Sequence, residues 1–296
     1  MGVVSGPMNS RRQFLSAIPL IAAAPALSSR ADDAGGKGLR VMTYNLRYAS
    51  MKGSEAWPDR RPAMKALLKQ QAPDIMGTQE GVYHQLRDLA ADLPEYDWIG
   101  TGRDGGSRGE FMAIYYQRER FEPLAYDHFW LSDTPDVIAS STWGNTNRRM
   151  VTSVRFKDRR SDKVFHLWNT HLDHALQHAR EKAAELIKTR LAKMPSNEPV
   201  ILMGDFNAEA TRNPVYDTLT QGIGFTDSWF AAAQRKNETL NSFNGFAKPV
   251  FNSARIDWIL YRGDAEVTSA EVVVDGSPEG RQPSDHHPVL ARMTWK

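Results

Sequence analysis

The chain has 296 residues, no cysteine, and 37 basic against 35 acidic side chains, a formal charge of +2. That length supports one large domain or two small ones, with a substantial core. The missing cysteine excludes disulfide scaffolds, thiolate zinc sites and cysteine nucleophiles. Any metal must then be held by oxygen or imidazole, which favours a hard divalent ion such as Mg2+ or Mn2+ over zinc.

The first thirty or so residues read as an address, not as fold. Arg11-Arg12 precedes the apolar run Ile18-Pro19-Leu20-Ile21-Ala22-Ala23-Ala24, and Ala24-Pro25-Ala26 suits signal cleavage. Residues 1–31 therefore resemble a twin-arginine export signal, which implies passage through the Tat translocase to the periplasm or the exterior of a bacterium. The run is too short for a permanent membrane span. Residues 1–31 hold three arginines and no acid, so the remainder carries 34 basic and 35 acidic residues. Proteins that grip nucleic acid non-specifically usually carry a basic excess, so composition does not favour long nucleic acid as a partner. Residues 32–38 are polar and glycine-rich, a flexible junction to a domain spanning residues 39–296, expected to be monomeric.

Residues 39–45 alternate as a first strand ending on Asn45 and Arg47, and Trp57-Pro58 opens a helix whose Met64, Leu67 and Leu68 form one apolar face. Residues 73–80 form a second strand with Glu80 at its end, and residues 85–93 a helix. A short strand at 98–100 leads into the glycine-rich loop 102–109, which delivers a strand over 110–116. Residues 129–132 are short and aromatic. Strands follow over 150–156 and 164–171, then a long helix over 175–191 with Ala179, Ala183, Leu186, Ile187 and Leu191 as its buried stripe. Val200-Ile201-Leu202-Met203-Gly204 is apolar on both faces, a buried strand, with Asp205 and Asn207 at its carboxyl end. Two residues apart on an extended backbone, these side chains point the same way; they can share a ligand or close the strand as an Asx turn. A helix over 213–219, the aromatic turn 242–246, strands over 256–261 and 267–274, and Ser284-Asp285-His286-His287 before a final strand complete the chain. Strands alternating with a modest number of helices point to a mixed α/β domain of stacked sheets between helical layers.

Asn45, Glu80, His171, Asp205 with Asn207, and Asp285 with His286 each end or follow a predicted strand, and Asp257 lies in another. Such groups are costly to bury alone, so they partner one another or a cation. The set Tyr44-Asn45, Gln79-Glu80, Thr170-His171-Leu172, Gly204-Asp205-Phe206-Asn207, Arg255-Ile256-Asp257 and Ser284-Asp285-His286 resembles the endonuclease/exonuclease/phosphatase (DNase I-like) superfamily. The resemblance implies a four-layer α/β sandwich: two stacked mixed β-sheets flanked by helices. It implies a metal-dependent phosphoester hydrolase, a phosphodiesterase or phosphatase with one or two Mg2+ or Mn2+ ions.

By that resemblance Glu80 and Asn45 hold the metal and Asp285 contributes to a second position. Asp205 and Asn207 orient nucleophile and phosphate, and His286, oriented by Asp257, activates water for in-line attack. His171 contacts phosphate, with Glu110 as its acidic partner. Arg148, Arg149, Asp173, Trp57, Arg60, Arg61, Phe243 and Asn244 are candidates for substrate binding, with helix capping the alternative for Asp173, a solvated loop for Arg148 and Arg149, and core packing for the two aromatics. His174, His178 and His287 are assigned to helix surface or capping. The residues 57–61, the 102–109 loop and the 243–246 turn are similar to bacterial members near the deadenylase-like branch, which leaves a phosphorylated small molecule, lipid or nucleotide as substrate. A secreted nuclease and a catalytically silent binding protein are the alternatives.

Overall fold

A strand that is apolar on both faces has to be covered on both, and the central strands of this chain are of that kind. Val41, Met42, Tyr44, Ile75, Met76, Leu167, Trp168, Ile201, Leu202 and Met203 are all buried. In the computed structural model, which describes residues 1–2, 38–195, 197–274 and 282–296, they sit at the centres of two sheets stacked face to face. Nearly all of the expected export segment and junction lies outside the described residues.

The chain opens with β1 (Leu39–Asn45), α1 (Trp57–Gln71), β2 (Ile75–Gln79), β3 (Gly81–Val82) and α2 (Tyr83–Asp92). Strands β4 (Tyr96–Ile99), β5 (Glu110–Phe111), β6 (Ile114–Gln117), β7 (Phe121–Trp130), β8 (Met150–Asp158) and β9 (Val164–His171) follow, then α3 (Gln177–Leu191) and β10 (Val200–Asp205). The remainder is α4 (Pro214–Thr220), β11 (Thr226–Asp227), α5 (Ser228–Ala231), β12 (Gln234–Lys236), β13 (Asp257–Arg262), β14 (Ala265–Val272) and β15 (Val289–Trp295). One sheet has the order β12-β14-β15-β1-β2-β6-β4, the other β11-β13-β10-β9-β8-β7, and β3 pairs with β5 alone.

Alternation decides which residues fill which layer. Val41, Ile75, Ile114, Leu167, Ile201, Met203 and Ile259 point between the sheets. Their neighbours Met42, Tyr44 and Met76 point outward against Met64, Leu67 and Leu68 of α1 and Leu86 and Leu89 of α2. Val200, Leu202, Trp258 and Leu260 meet Ala179, Ala183 and Ile187 of α3 and Val215 and Leu219 of α4 on the opposite outer face. Each fully buried aliphatic side chain contributes roughly 1.5–3 kcal/mol. Helix, sheet, sheet, helix is the expected four-layer sandwich. Among the described residues no helix is long and apolar enough to cross a membrane.

Two close approaches set where the sheets and strands meet near the site. A Cβ on Gly204, at φ +154°, would lie 2.0 Å from the Thr170 carbonyl oxygen of β9, so only glycine lets β10 run in this register. Below it, Asn169 donates from Nδ2 to the carbonyls of Thr78 (2.8 Å) and Ala113 (2.9 Å), and its Oδ1 accepts from Gln79 Nε2 at 2.7 Å. This buried polar bridge pins one sheet to the other. Because β1 is parallel to β2 and β9 to β10, their carboxyl ends emerge together at one edge of the sandwich.

Candidate active site

Strand register delivers the polar residues to that edge. Asp205 is level with His171 across the β10–β9 pair and with Asp257 across the β10–β13 pair. Asn45 ends β1, Glu80 follows β2, and Asp285 and His286 lie just ahead of β15, the antiparallel neighbour of β1. These residues come from six separate strands. Asn45, His171, Asp205, Asp257, Asp285 and His286 are all buried. Arg47, Glu80 and Asn207 adopt left-handed backbone conformations, with φ of 52°, 61° and 48°. Each costs roughly 1 kcal/mol, a strain that clusters where function needs an aimed side chain.

The centre is Asp205, whose Oδ1 accepts from the Asn207 backbone N–H at 2.9 Å and whose Oδ2 accepts from Asn45 Nδ2 at 3.0 Å. His171 Nε2 and His286 Nε2 approach the same Oδ2 at 3.5 and 3.7 Å. The other ring nitrogen of His286 pairs with Asp257 Oδ2 at 3.0 Å. Asp205, Asp257 and His286 bring their ligand atoms within 4.8 Å of one another. Burial, and then the nearby Asp257 carboxylate, push the Asp205 carboxyl up to about 7. Burial acts against charge on His286, but Asp257 and Asp205 outweigh it and hold the imidazolium to about 10. Burial, then Arg149 and Arg103, keep His171 well below the usual histidine range, and so neutral.

A second cluster adjoins the first. Glu80 Oε1 accepts from Asn45 Nδ2 at 3.1 Å and its Oε2 from the Tyr48 N–H at 3.2 Å. The guanidinium of Arg47 stands 3.8 Å from Glu80 and 3.7 Å from Asp285, a single cation shared loosely by two carboxylates. Burial and the Glu80 charge raise the Asp285 carboxyl, as expected of two acids facing one space. An all-oxygen pair of this kind fits a hard divalent cation. Asn45 lies between the two clusters: its Oδ1 accepts from the Arg47 N–H at 3.0 Å, and its Nδ2 donates to Glu80 and Asp205, linking them by hydrogen bonds.

The loops bearing these residues are tied from behind by Arg60, which is 1% exposed. Its guanidinium donates to the carbonyls of Leu46 (3.0 Å), Arg47 (3.0 Å), Tyr48 (3.2 Å) and Pro283 (2.5 Å). Ser284 Oγ donates to the Asn45 carbonyl at 2.6 Å, closing the same seam. Arg60 and Arg61, both expected at the substrate pocket, are corrected: Arg60 supports its loops from behind, and Arg61 pairs with Asp88 (2.9 Å) and Asp92 (2.7 Å) on α2. Trp57 is likewise corrected: it is 1% exposed, packed in the α1 layer and bonded to Asp88. Asn244 does not line the pocket; it holds the Ser284–Asp285 backbone through its N–H to Asp285 O (2.7 Å) and Nδ2 to Ser284 O (3.2 Å).

All of this opens into a pocket of about 400 Å³. Glu80, Asp205, Asn207, His171, Asp285 and His286 line it, and Phe243, half exposed at its mouth, meets the His286 ring edge-on at 5.1 Å. Asn207 donates from Nδ2 to the Leu172 carbonyl at 3.1 Å, which fixes its side chain at the pocket wall. Glu110 lines the pocket with both oxygens on Arg103 at 2.6 and 2.9 Å, so its partner is that arginine and not His171; burial pushes it up to about 7. Asp173 caps the turn before α3, its Oδ1 accepting from the Ala175 and Leu176 N–H groups at 2.9 and 2.8 Å. Arg149 lines the pocket and is buried, as is Asp173. Arg47, Tyr48, Arg103, Asn147 and His174 also line it. Of these the sequence marks only Arg47, at the end of the first strand, and His174, as helix surface. His178 bonds the Trp143 carbonyl at 2.8 Å on α3, and buried His287 stays outside the pocket lining.

Residues 42–286 match the Endonuclease/Exonuclease/phosphatase family. An endonuclease/exonuclease/phosphatase family protein from Bacteroides thetaiotaomicron, of known structure, is 33% identical with a TM-score of 0.81, over 88% of this chain and 98% of that one. A mannosyl-6-phosphatase from Bacteroides thetaiotaomicron is 34% identical with a TM-score of 0.80, over 87% of this chain and 100% of that one. A probable RNA exonuclease of Saccharomyces cerevisiae is 24% identical over 200 residues, 60% of this chain and 39% of that protein.

Proposed function

Because the chain belongs to the endonuclease/exonuclease/phosphatase family, we propose that it hydrolyses phosphate esters of small molecules in this pocket, sugar phosphates first among them. The observation that carries the reading is one pocket lined by Asp205 and His286, with Asp257 bonded behind His286, and by a separate Glu80–Asp285 pair. A pocket of about 400 Å³ suits a small ligand, since such sites run to roughly 300–1,000 Å³. The likeness to a mannosyl-6-phosphatase supports the sugar-phosphate class.

Glu80 and Asp285 would hold a divalent cation such as Mg2+ or Mn2+. When bound, it supplies charge neutralisation and polarises the phosphoryl group. The protein's own residues handle orientation and protons. Asp205 Oδ2 and His286 Nε2 are 3.7 Å apart, too close to serve opposite ends of an in-line displacement, so both act at the attacking water. Both ring nitrogens of His286 face carboxylates, which favours the imidazolium and leaves Asp205 to take the water's proton. This assigns the base to Asp205 and not, as the sequence suggested, to His286. Imidazolium His286, held by Asp257, then stabilises the developing charge, and neutral His171 donates to a phosphoryl oxygen.

The test is turnover by purified protein with Mg2+ or Mn2+ against mannose 6-phosphate and other hexose phosphates, a simple diester, a phospholipid, DNA and RNA. Release of phosphate from hexose phosphates is the expected result. Turnover of nucleic acid alone would favour the secreted nuclease, for which the yeast likeness and the exposed Tyr48 and Phe243 at the pocket speak. Binding without turnover of any ester would leave a silent scaffold. The paired arginines and apolar run within residues 1–31 support export as part of this proposal. N-terminal sequencing of protein recovered from the periplasm tests it.

A further inference from the structure

Two neighbouring arginines of the pocket each hold the acceptor end of another lining side chain. Arg103 takes both oxygens of Glu110, at 2.6 and 2.9 Å, and its Nη2 also donates to Asn147 Oδ1 at 3.2 Å. Arg149 brings its Nη2 to 3.1 Å from His174 Nδ1. The two guanidinium groups are close: after burial, the Arg103 charge is what most opposes charge on Arg149. Both are buried, and Trp130 Nε1 donates to the Arg103 carbonyl at 2.7 Å, which fixes that backbone. A guanidinium can only donate, so each contact settles the orientation of its partner. Asn147 has to turn its oxygen to Arg103, which leaves Nδ2 directed away from it. His174 has to accept at Nδ1, which puts the ring proton on Nε2, across the ring from Arg149. Among the described residues neither Asn147 Nδ2 nor His174 Nε2 has a hydrogen-bond partner, and both side chains line the pocket.

This side of the pocket therefore presents two uncharged N–H donors, with the Glu110 carboxylate as an acceptor beside Arg103. Each Glu110 oxygen keeps lone-pair capacity after its bond to Arg103. A hydroxyl group both donates and accepts, so a ligand rich in hydroxyls satisfies donors and acceptor alike. An alkyl group of the same size leaves them unpaired. We propose that Asn147 and His174 form the subsite for the leaving group, each donating to a hydroxyl oxygen of a sugar or similar polyol. The assignment rests on the phosphoester-hydrolase reading above and deepens it: these two side chains make the substrate a polyol phosphate. Asp205, His286 and Asn207 are occupied with the phosphoryl group and its water, which leaves Asn147 and His174 to the alcohol that departs.

Kinetics on a matched pair, mannose 6-phosphate and cyclohexylmethyl phosphate, tests the subsite in wild type, Asn147→Asp and His174→Asn. Both esters release a primary alcohol on a six-membered ring, but only the first carries hydroxyls. Each variant keeps an acceptor for its arginine and removes the N–H assigned to the ligand. The measure is the ratio of kcat/KM for the sugar phosphate to that for the cyclohexyl ester, in which effects on the shared phosphate cancel. Wild type is expected to favour the sugar phosphate, and the ratio should fall about tenfold in each variant. His174→Gln, whose amide can restore an N–H near the lost Nε2, should fall less, about threefold. Independently, free mannose should inhibit turnover of the cyclohexyl ester competitively, and about tenfold more weakly in Asn147→Asp and His174→Asn. Equal losses on both esters, a wild-type preference for the cyclohexyl ester, or unchanged inhibition by mannose would each overturn the subsite. Should one variant fail to fold, the other and His174→Gln decide. If wild type turned over no phosphoester, the hydrolase reading would fall, and mannose binding followed by saturation-transfer NMR in the same variants would still settle the subsite.

Discussion

Strand β9 carries a histidine near each end, and each histidine has an acid beside it and an arginine in its surroundings. At the amino end His166 meets Glu198 at 2.7 Å, and Glu198 takes both arms of Arg155 at 2.8 and 2.5 Å. At the carboxyl end His171 approaches Asp205 only to 3.5 Å, its buried Nδ1 makes no hydrogen bond, and neither do two nitrogens of buried Arg149. Side chains of the first set are 12–37% exposed, and those of the second 2–4%. The bonds to Arg155 and His166 pull the Glu198 carboxyl down to about 2, whereas burial drives the Asp205 carboxyl up to about 7. Residue type does not separate a surface ion cluster from a reaction centre. Solvent and satisfaction do: one set completes itself, and the other is left for a third party to complete.

The comparison breaks most sharply at its two acids. Asp205→Asn keeps the shape but removes the proton acceptor, and turnover should fall by about 10³-fold or more. Its folded-state carboxyl lies above the ordinary unfolded value, so the charged form is a burden that grows as pH rises from about 4 to 7. Relieving it, the variant should melt no lower than wild type at pH 7.5, and higher if anything. Turnover within tenfold of wild type, or a drop in melting temperature alongside the lost turnover, would break the contrast. Next in size comes Glu80→Gln, which halves the charge of the Glu80–Asp285 pair. The Mg2+ or Mn2+ concentration for half-maximal activity should rise about tenfold or more, with much of kcat recovered at saturation. Chelation should silence wild type reversibly; an unchanged cation titration in the variant would move the metal elsewhere.

How much of this contrast was readable beforehand follows from the range of the interactions. Asp205, His171, Glu80 and Asp257 could be located because each lies at a strand end or within a strand, and strand ends are marked locally by apolar runs. The pattern of strands and helices gave stacked sheets between helical layers, and the family resemblance made them four. What failed was long-range or irregular. Strand β7, Phe121–Trp130, showed only its aromatic tail because it is an edge strand with exposed Leu124 and Tyr126 and an irregular register at Pro123/Ala125. Residues 110–116 read as one strand but divide into β5 and β6, since β5 pairs with β3 and β6 with β2 and β4. Arg60 and Arg61 are adjacent, and no local pattern says that Arg60 reaches Pro283, 223 positions on, while Arg61 reaches α2. The same blindness hid Arg103, whose Glu110 partner lies across a glycine-rich loop.

The smallest expected effect tests the quiet end of β9. Glu198→Gln leaves the pocket untouched, so turnover should stay within about twofold of wild type. The bidentate pairing with Arg155 and the bond to His166 are partly screened by solvent, so the loss in stability should be about 1 kcal/mol. Its pH dependence gives the sharper signature. A carboxyl whose folded value is near 2 and whose unfolded value is near 4 contributes in full only above about 4, and loses that contribution as pH falls toward 2. Wild type and variant, unfolded chemically at steps between pH 6 and pH 2, should therefore differ most at the neutral end and converge in acid. A difference that stays constant down to pH 2 would mean that Glu198 acts through packing, and the two ends of β9 would then differ less than their geometry says.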